Sequence, residues 1–409
     1  MPGSVDAVEV VTTTPRLVAA VESAIRQPRV AVDLESNGFY RYPERVCLVQ
    51  LATYEGVHII DPLSIDDPTP LGKLLADPSV GKILHSADYD IRSLDRDWGF
   101  HVRGLFDTSI AAAFTGSEKL GLAAVLKEHL GVDVLKDKKL QRADWSQRPL
   151  TDKMLQYAAQ DVVHLGRLKA VLDGKLAKLG RTKWAREETD RLAQVRHNPP
   201  DEEWGFLSVK GSRDLDGRGL AVLRSLYSFR ENEALKLDRP PFKVLSDSVI
   251  AALAADPQAD VAKVKGIGRY GRGPGVSAVR RAIREGLGAQ PVRRPRAPRN
   301  GGERLSPRER ARARERLRLL KGWRAEEAKQ LGLDPPLVWP AVSLGRLAAR
   351  PDSLSSEMEC EDVRRWQRGE FGASLTAYVS GGMDGGPQPD RRQGGDRKAP
   401  SSTAEVVER

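Results

Sequence analysis

Five residues within the first 161 positions of this 409-residue chain could act on a single reacting centre: Asp33, Glu35, Asp90, Tyr157 and Asp161. Asp33 and Glu35 interrupt the apolar run Arg29-Val30-Ala31-Val32-Asp33-Leu34-Glu35. That run reads as a strand, and side chains two apart on a strand share a face. Tyr157 and Asp161 stand four apart in Met154-Leu155-Gln156-Tyr157-Ala158-Ala159-Gln160-Asp161. On the helix predicted there, they too share a face. Asp90 follows a second apolar strand, Lys82-Ile83-Leu84-His85, and opens a helix; Asp88, two residues earlier, is its rival. Carboxylates converging from strand ends and a helix are what a two-metal, phosphodiester-cleaving site requires.

Like charges about 4 Å apart repel by roughly 4 kcal/mol at an effective dielectric constant of about 20. Four carboxylates therefore cannot all ionise in one pocket without cations. Two hard divalent ions with oxygen ligands, Mg²⁺ or Mn²⁺, are the expected cofactors. No soft-metal alternative competes, because Cys47 and Cys360 are far apart and no closely spaced Cys/His pairs occur.

The elements that must position these groups alternate in type. Strands are predicted near 29–35, 45–52, 56–60 and 81–86, the second and third pairing as a hairpin through Thr53-Tyr54-Glu55. Helices are predicted at about 87–97, 107–115, 119–130 and 151–179. This is an α/β layer arrangement with a mixed sheet. Asn198-Pro199-Pro200 marks a boundary, since proline keeps its predecessor out of a helix. Beyond it the chain reads as all-α, with helices through Ala221–Tyr227, over about 246–255 and near 275–286. A Pro/Arg/Gly-rich linker covers 288–302. Ser306-Pro307-Arg308-Glu309 then combines a capping box with proline at the first helical position. The helix it starts runs to about residue 331, and further helical segments follow at 344–349, 362–366 and 371–379. The composition from about residue 380 is that of a disordered tail.

Three motifs, Val32-Asp33-Leu34-Glu35, His85-Ser86-Ala87-Asp88-Tyr89-Asp90-Ile91 and Tyr157-Ala158-Ala159-Gln160-Asp161, resemble in order those of the DEDDy subgroup of DEDD 3′→5′ exonucleases. Within that superfamily the match is to the ribonuclease D family. Gln141-Arg142-Ala143-Asp144-Trp145-Ser146 through Arg148-Pro149-Leu150 resembles that family as well, as does Phe106-Asp107-Thr108. Residues 212–287 resemble an HRDC domain, the small helical module of RecQ helicases and ribonucleases D. The resemblance implies a ribonuclease H-like exonuclease domain at 1–200, an HRDC domain at 204–290 and a second, diverged HRDC-like unit at 303–379. The disordered tail then covers 380–409.

The same resemblance implies that Asp33, Glu35, Asp90 and Asp161 are the metal ligands. Its spacing, a histidine five residues before the acid, selects Asp90 and leaves Asp88 as a helix cap. Tyr157 would orient the attacking water; a phenol with a pKa near 10 is a poor choice for the base itself. One metal would activate water while the other stabilises the leaving 3′ oxygen, each turnover releasing a nucleoside 5′-monophosphate. Asn37, Phe39 and Tyr40 could flank the terminal nucleotide, where stacking on a base contributes about 1–3 kcal/mol. His85 is a further candidate, although a histidine ending a buried strand also reads as structural. Gly266 and Gly268 could turn backbone amides toward a phosphate, with Arg269 and Arg272 adding charge. Gln50 reads as a satisfied buried amide.

A hydrophobic content of 40% with 30% charged residues describes a soluble globular protein, and 409 residues suit two or three domains. No apolar stretch approaches the roughly 18 residues of a membrane span, and no secretory leader is evident. Two cysteines exclude a disulfide framework. Together these point to the cytoplasm, and the chain reads as a monomer. Of the net charge of +10, none belongs to residues 1–200, which hold 27 basic and 27 acidic groups. Residues 291–321 hold 12 basic groups against Glu303, Glu309 and Glu315. A neutral catalytic half and a basic region downstream suit the capture of a polyanion.

The leading expectation is a metal-dependent 3′→5′ exoribonuclease, with tRNA precursors implied as substrates by the family. A DNA exonuclease of the Werner type shares the same catalytic plan. The absence of helicase motifs and the second HRDC-like unit favour the ribonuclease. A catalytically silent RNA-binding scaffold would have lost acids that here all stand in place.

Overall fold

The computed structural model describes residues 8–134, 137–295 and 305–381. Among these, the residues up to 295 form one compact unit and those from 305 a second. The expected tail from 382 on, and the linker from 296 on, lie outside the described residues, while Ser380, placed in that tail, ends the last helix.

Six strands build the sheet of the first unit: β1 (Val8–Val11), β2 (Arg29–Ser36), β3 (Val46–Ala52), β4 (Val57–Ile60), β5 (Gly81–Leu84) and β6 (Leu105–Asp107). Their order is β1-β4-β3-β2-β5-β6. β3 is antiparallel to both neighbours, while β1/β4, β2/β5 and β5/β6 are parallel, so the sheet is mixed. Every residue of β3 is buried, which explains a continuous apolar run in place of an alternation. The expected hairpin closes through Thr53, whose N–H donates to the Gly56 carbonyl at 2.9 Å.

Helices Asp88–Trp98, Thr108–Phe114 and Leu122–Leu130 fall close to their predicted spans. The span predicted at 151–179 is two helices, Asp152–Val163 and Leu165–Lys178. The break is at His164, whose N–H turns to the Val162 carbonyl and leaves the regular ladder. Two strands went unpredicted: β1 and β6, of four and three residues, are too short to show a period. Helices Thr14–Ile25, Thr69–Ala76 and Thr182–Leu192 are also additions to the expected set.

Beyond residue 200 the first unit is helical, as predicted: Gly217–Leu237, the short Pro241–Val244, Asp247–Ala255 and Pro274–Gly288. These enclose a core of their own, including Leu220, Leu223, Leu226, Ile250, Leu253 and Ile283. Tyr42, from the loop after β2, packs against it. The second unit comprises helices Pro307–Leu331, Pro335–Val338, Ala341–Ala349, Leu354–Met358 and Arg365–Ser380. Trp323, Trp339, Leu344, Leu347 and Phe371 fill its interior. The capping box forms as expected, Ser306 Oγ accepting the Glu309 N–H while Glu309 accepts the Ser306 N–H.

Candidate active site

Asp33 and Glu35 project from β2 on either side of the buried Leu34 and are themselves half-buried. Helix Asp152–Val163 packs on β2, β3 and β4 and carries Tyr157 and Asp161. Its first turn is capped by Thr151, whose hydroxyl accepts the Met154 N–H at 3.3 Å. Asp90 is buried in the first turn of helix Asp88–Trp98.

The start of the Asp90 helix is held from outside itself. Asp107 accepts the Ala87 N–H through Oδ2 at 2.7 Å, while its Oδ1 caps the next helix by accepting the Ser109 and Ile110 N–H groups at 2.8 and 3.0 Å. Thr108 Oγ1 donates to the Leu84 carbonyl at 3.0 Å and lies 2.8 Å from His85 Nδ1. Phe106-Asp107-Thr108 therefore clamps the β5-to-helix turn, in which Ser86 takes a positive φ of 59°. Asp88 does not cap this helix, contrary to expectation. The N-cap is Ala87, and Asp88 sits one position inside, paired with Arg92 at 2.9 Å. The Asp88 carboxylate, already inside the helix, accepts from Arg92 and not from a first-turn N–H.

The segment before Tyr157 is fixed by Arg148. Its guanidinium donates to both carboxylate oxygens of the buried Asp61 at 2.6 Å, and to the carbonyls of Trp145 and Cys47 at 2.8 and 3.1 Å. This fork seats the Trp145 ring in the interior, 6.1 Å from the Tyr157 ring and tilted by 34°. Sequence reasoning assigned no role to Asp107, Arg148 or Asp61. The first two lay in motifs already visible; Asp61 gave no signal.

Asp33 and Glu35 feel the charges of acids from two other segments. Burial and then the charges of Asp90, Asp161 and Glu35 push the Asp33 carboxyl well above its ordinary range. Burial, Asp161 and Asp90 raise Glu35 to about 9. Asp90 rises to about 7 through burial and Asp107, and Asp161 to about 7 through burial. Burial and the charges of Asp161, Glu35 and Asp33 raise the Tyr157 hydroxyl, keeping it protonated. Among the described residues, no three His, Cys, Asp or Glu side chains are already gathered about one metal-sized point. The candidate donors are nonetheless four carboxylates without thiol or imidazole, a set suited to a hard cation.

Gln50 is not the satisfied amide expected of it. It pairs with Asp33 across β3 and β2, is fully buried, and has no protein hydrogen-bond partner at either amide atom. Asn37 is buried too, its Oδ1 accepting the Arg45 N–H at 2.8 Å to close the loop between β2 and β3. Phe39 and Tyr40 on that loop are exposed, Phe39 meeting Phe242 edge-on at 6.4 Å. Gly266 and Gly268 both adopt positive φ, where a side chain would be strained. Neither they nor Arg269 are among the groups that perturb the acids.

Comparison with known proteins draws the same outline. A family model for a 3′-5′ exonuclease matches residues 8–177, and one for an HRDC domain matches 219–285. Ribonuclease D of Granulibacter bethesdensis is 30% identical over 389 residues, covering 92% of this chain and 94% of that protein. The chain belongs to the ribonuclease D family. Ribonuclease D of Gluconacetobacter diazotrophicus is 31% identical, covering 91% of this chain and 93% of its own. The crystal structure of Escherichia coli RNase D shares the fold, with a TM-score of 0.68 at 22% identity over 91% of this chain and 99% of that one. A family member built on this exonuclease domain is a 3′→5′ exoribonuclease. Its exonuclease domain is of a divalent-metal-dependent class. No helix among the described residues is long and apolar enough to cross a membrane.

Proposed function

We propose that this enzyme removes nucleotides one at a time from RNA 3′ ends as nucleoside 5′-monophosphates, with Asp33, Glu35, Asp90 and Asp161 holding two divalent cations, Mg²⁺ or Mn²⁺. The observation that carries this reading is that the charges of Asp90 and Asp161, from two other chain segments, raise the proton affinity of the Asp33 and Glu35 carboxyls on β2. Such a cluster is unfavourable by itself and becomes favourable around cations. When bound, those ions would supply a water of lowered pKa and a counter-charge at the leaving 3′ oxygen. Tyr157 keeps its proton, so its hydroxyl is suited to orient the attacking water by a hydrogen bond and not to deprotonate it. Asp107 and Arg148 keep the Asp90 helix and the Tyr157 segment in place around that point.

Structured RNA 3′ ends, tRNA precursors among them, are the substrates we assign. The helical regions support this in two ways. Long helix, four-residue helix with proline at its start, nine-residue helix and closing helix succeed one another over 217–288, and again over 307–380. This repeat favours a second HRDC-like domain there. Its first helix also exposes Arg308, Arg310, Arg312 and Arg314, two i,i+4 pairs on opposite sides of the helix, a basic segment able to attract phosphate. The test uses end-labelled RNA and DNA of one sequence, with free or blocked 3′ ends, in Mg²⁺ or Mn²⁺. Monophosphate release confined to free RNA ends is expected. Equal rates on DNA would favour the Werner-type alternative, and release from blocked ends would overturn the reading.

A further inference from the structure

The loop between β2 and β3 begins two residues after Glu35 and is gripped on two sides. On one side, Tyr40 Oη donates to the Arg142 carbonyl at 2.7 Å. Arg41 Nε donates to Ser146 Oγ at 3.4 Å, and Arg41 Nη2 lies 3.9 Å from Asp144 Oδ2. On the other side, the helical region takes hold of the next two residues. Arg41 Nη1 donates to Asp238 Oδ2 at 3.0 Å, and the Tyr42 N–H donates to Asp238 Oδ1 at 3.1 Å. The Tyr42 hydroxyl donates to Glu231 at 2.7 Å.

Asp238 ends helix Gly217–Leu237 with φ 47° and ψ 49°. Helices ordinarily end in this left-handed conformation with glycine, and a side chain there is a strained choice. Here an aspartate occupies the position and spends both carboxylate oxygens on the exonuclease loop. Trp145, the residue between Asp144 and Ser146, is the ring that lies against Tyr157. One continuous set of contacts thus runs from the end of an HRDC helix to the residue we assign to orient water.

We propose that Asp238 is a positioning residue for hydrolysis, acting through Arg41, Tyr42 and the Asp144–Ser146 segment on the ring of Tyr157. The helical region then sets the rate of bond cleavage even on substrates too short to need a grip. This rests on the role given to Tyr157 above. The ion pair is exposed, with Arg41 and Asp238 side chains 44% and 56% accessible, so its own contribution to stability is small. Its loss should therefore move the loop more than it weakens the fold.

Full-length Asp238→Gly keeps the left-handed helix end and deletes both contacts, whereas Asp238→Asn retains an acceptor for the Tyr42 N–H. On a 5′-labelled RNA dinucleotide, Asp238→Gly should lower kcat about tenfold with KM within about twofold, small misplacements being costly to rate. Asp238→Asn should fall between it and wild type, and both should melt within about 2 °C of wild type. Combined with Tyr157→Phe, Asp238→Gly should cost little more, because residues acting through one another are non-additive. An unchanged dinucleotide kcat, with KM raised only on long RNA, would overturn the proposal in favour of an RNA grip. Full additivity with Tyr157→Phe, or a kcat loss matched by a fall in melting temperature in both Asp238 variants, would overturn it in favour of a purely structural contact. Wild-type and Tyr157→Phe rates read the underlying assignment separately: equal rates there would remove Tyr157 from the mechanism.

Discussion

At the scale of single residues, the acids make the metal-free protein sensitive to alkali. Folding raises Glu35 from 4.5 to about 9, and Asp90 and Asp161 from 3.8 to about 7. Between those limits the native chain retains protons that the unfolded chain has released, so stability falls as pH rises. In chelator, the melting temperature should therefore decline from pH 5 to pH 9. Asp33→Asn removes one member of the cluster, flattening that decline while reducing the rate with Mg²⁺ by about two orders of magnitude or more. A variant as active as wild type would remove Asp33 from the site. Gln50 offers a second residue-level test. An unsatisfied buried polar group costs about 1–3 kcal/mol, so Gln50→Leu should raise the urea midpoint of the metal-free protein. A lowered midpoint would mean that the amide is bonded in solution.

At the scale of elements, the site depends on junctions and not on strands or helices taken singly. The Asp90 helix has no side-chain cap; Asp107 instead anchors the N–H of its N-cap residue Ala87 while capping the helix that begins at Thr108. Asp107→Ala should cost about 1 kcal/mol for the lost cap and about 1–3 kcal/mol for the orphaned Ala87 N–H. Urea denaturation would register that loss, and metal-dependent activity should fall with it as Asp90 loses its fixed approach. If stability is unchanged, the shared cap is not what holds the turn. The sequence showed the elements well: β2 through β5 and the helices bearing Asp90 and Tyr157 lie where periodicity places them. It did not show that Asp107 holds the Ala87 N–H, because that contact depends on β6 lying beside β5.

For the whole molecule, the division of labour differs from one drawn at residue 200. A truncation lacking 204–409 would strip away Glu231 and Asp238, the partners of Tyr42 and Arg41, and uncover the Tyr42 ring. Truncation after residue 302 respects the first compact unit. The shorter deletion, lacking 303–409, should fold, cleave short RNA at close to the full rate, bind long RNA more weakly and show a shallower salt dependence of binding. The larger deletion should lose thermal stability and rate together. Equal salt slopes for the full chain and the 1–302 fragment would remove the Arg308–Arg314 segment from RNA capture.

Chemistry and element type were written in the sequence itself, because side-chain identity and periodicity of two or 3.6 are local properties. The pairs Asp33/Glu35 and Tyr157/Asp161 needed nothing else to be placed on shared faces. Tertiary structure alone decided which groups hold those elements together. Asp61 under Arg148, Asp107 on Ala87 and Asp238 on the Tyr42 loop join residues from 20 to 196 positions apart. A hydrogen bond between such residues leaves no period in the chain; it exists only once the sheet order and the packing of the helices bring donor and acceptor within reach.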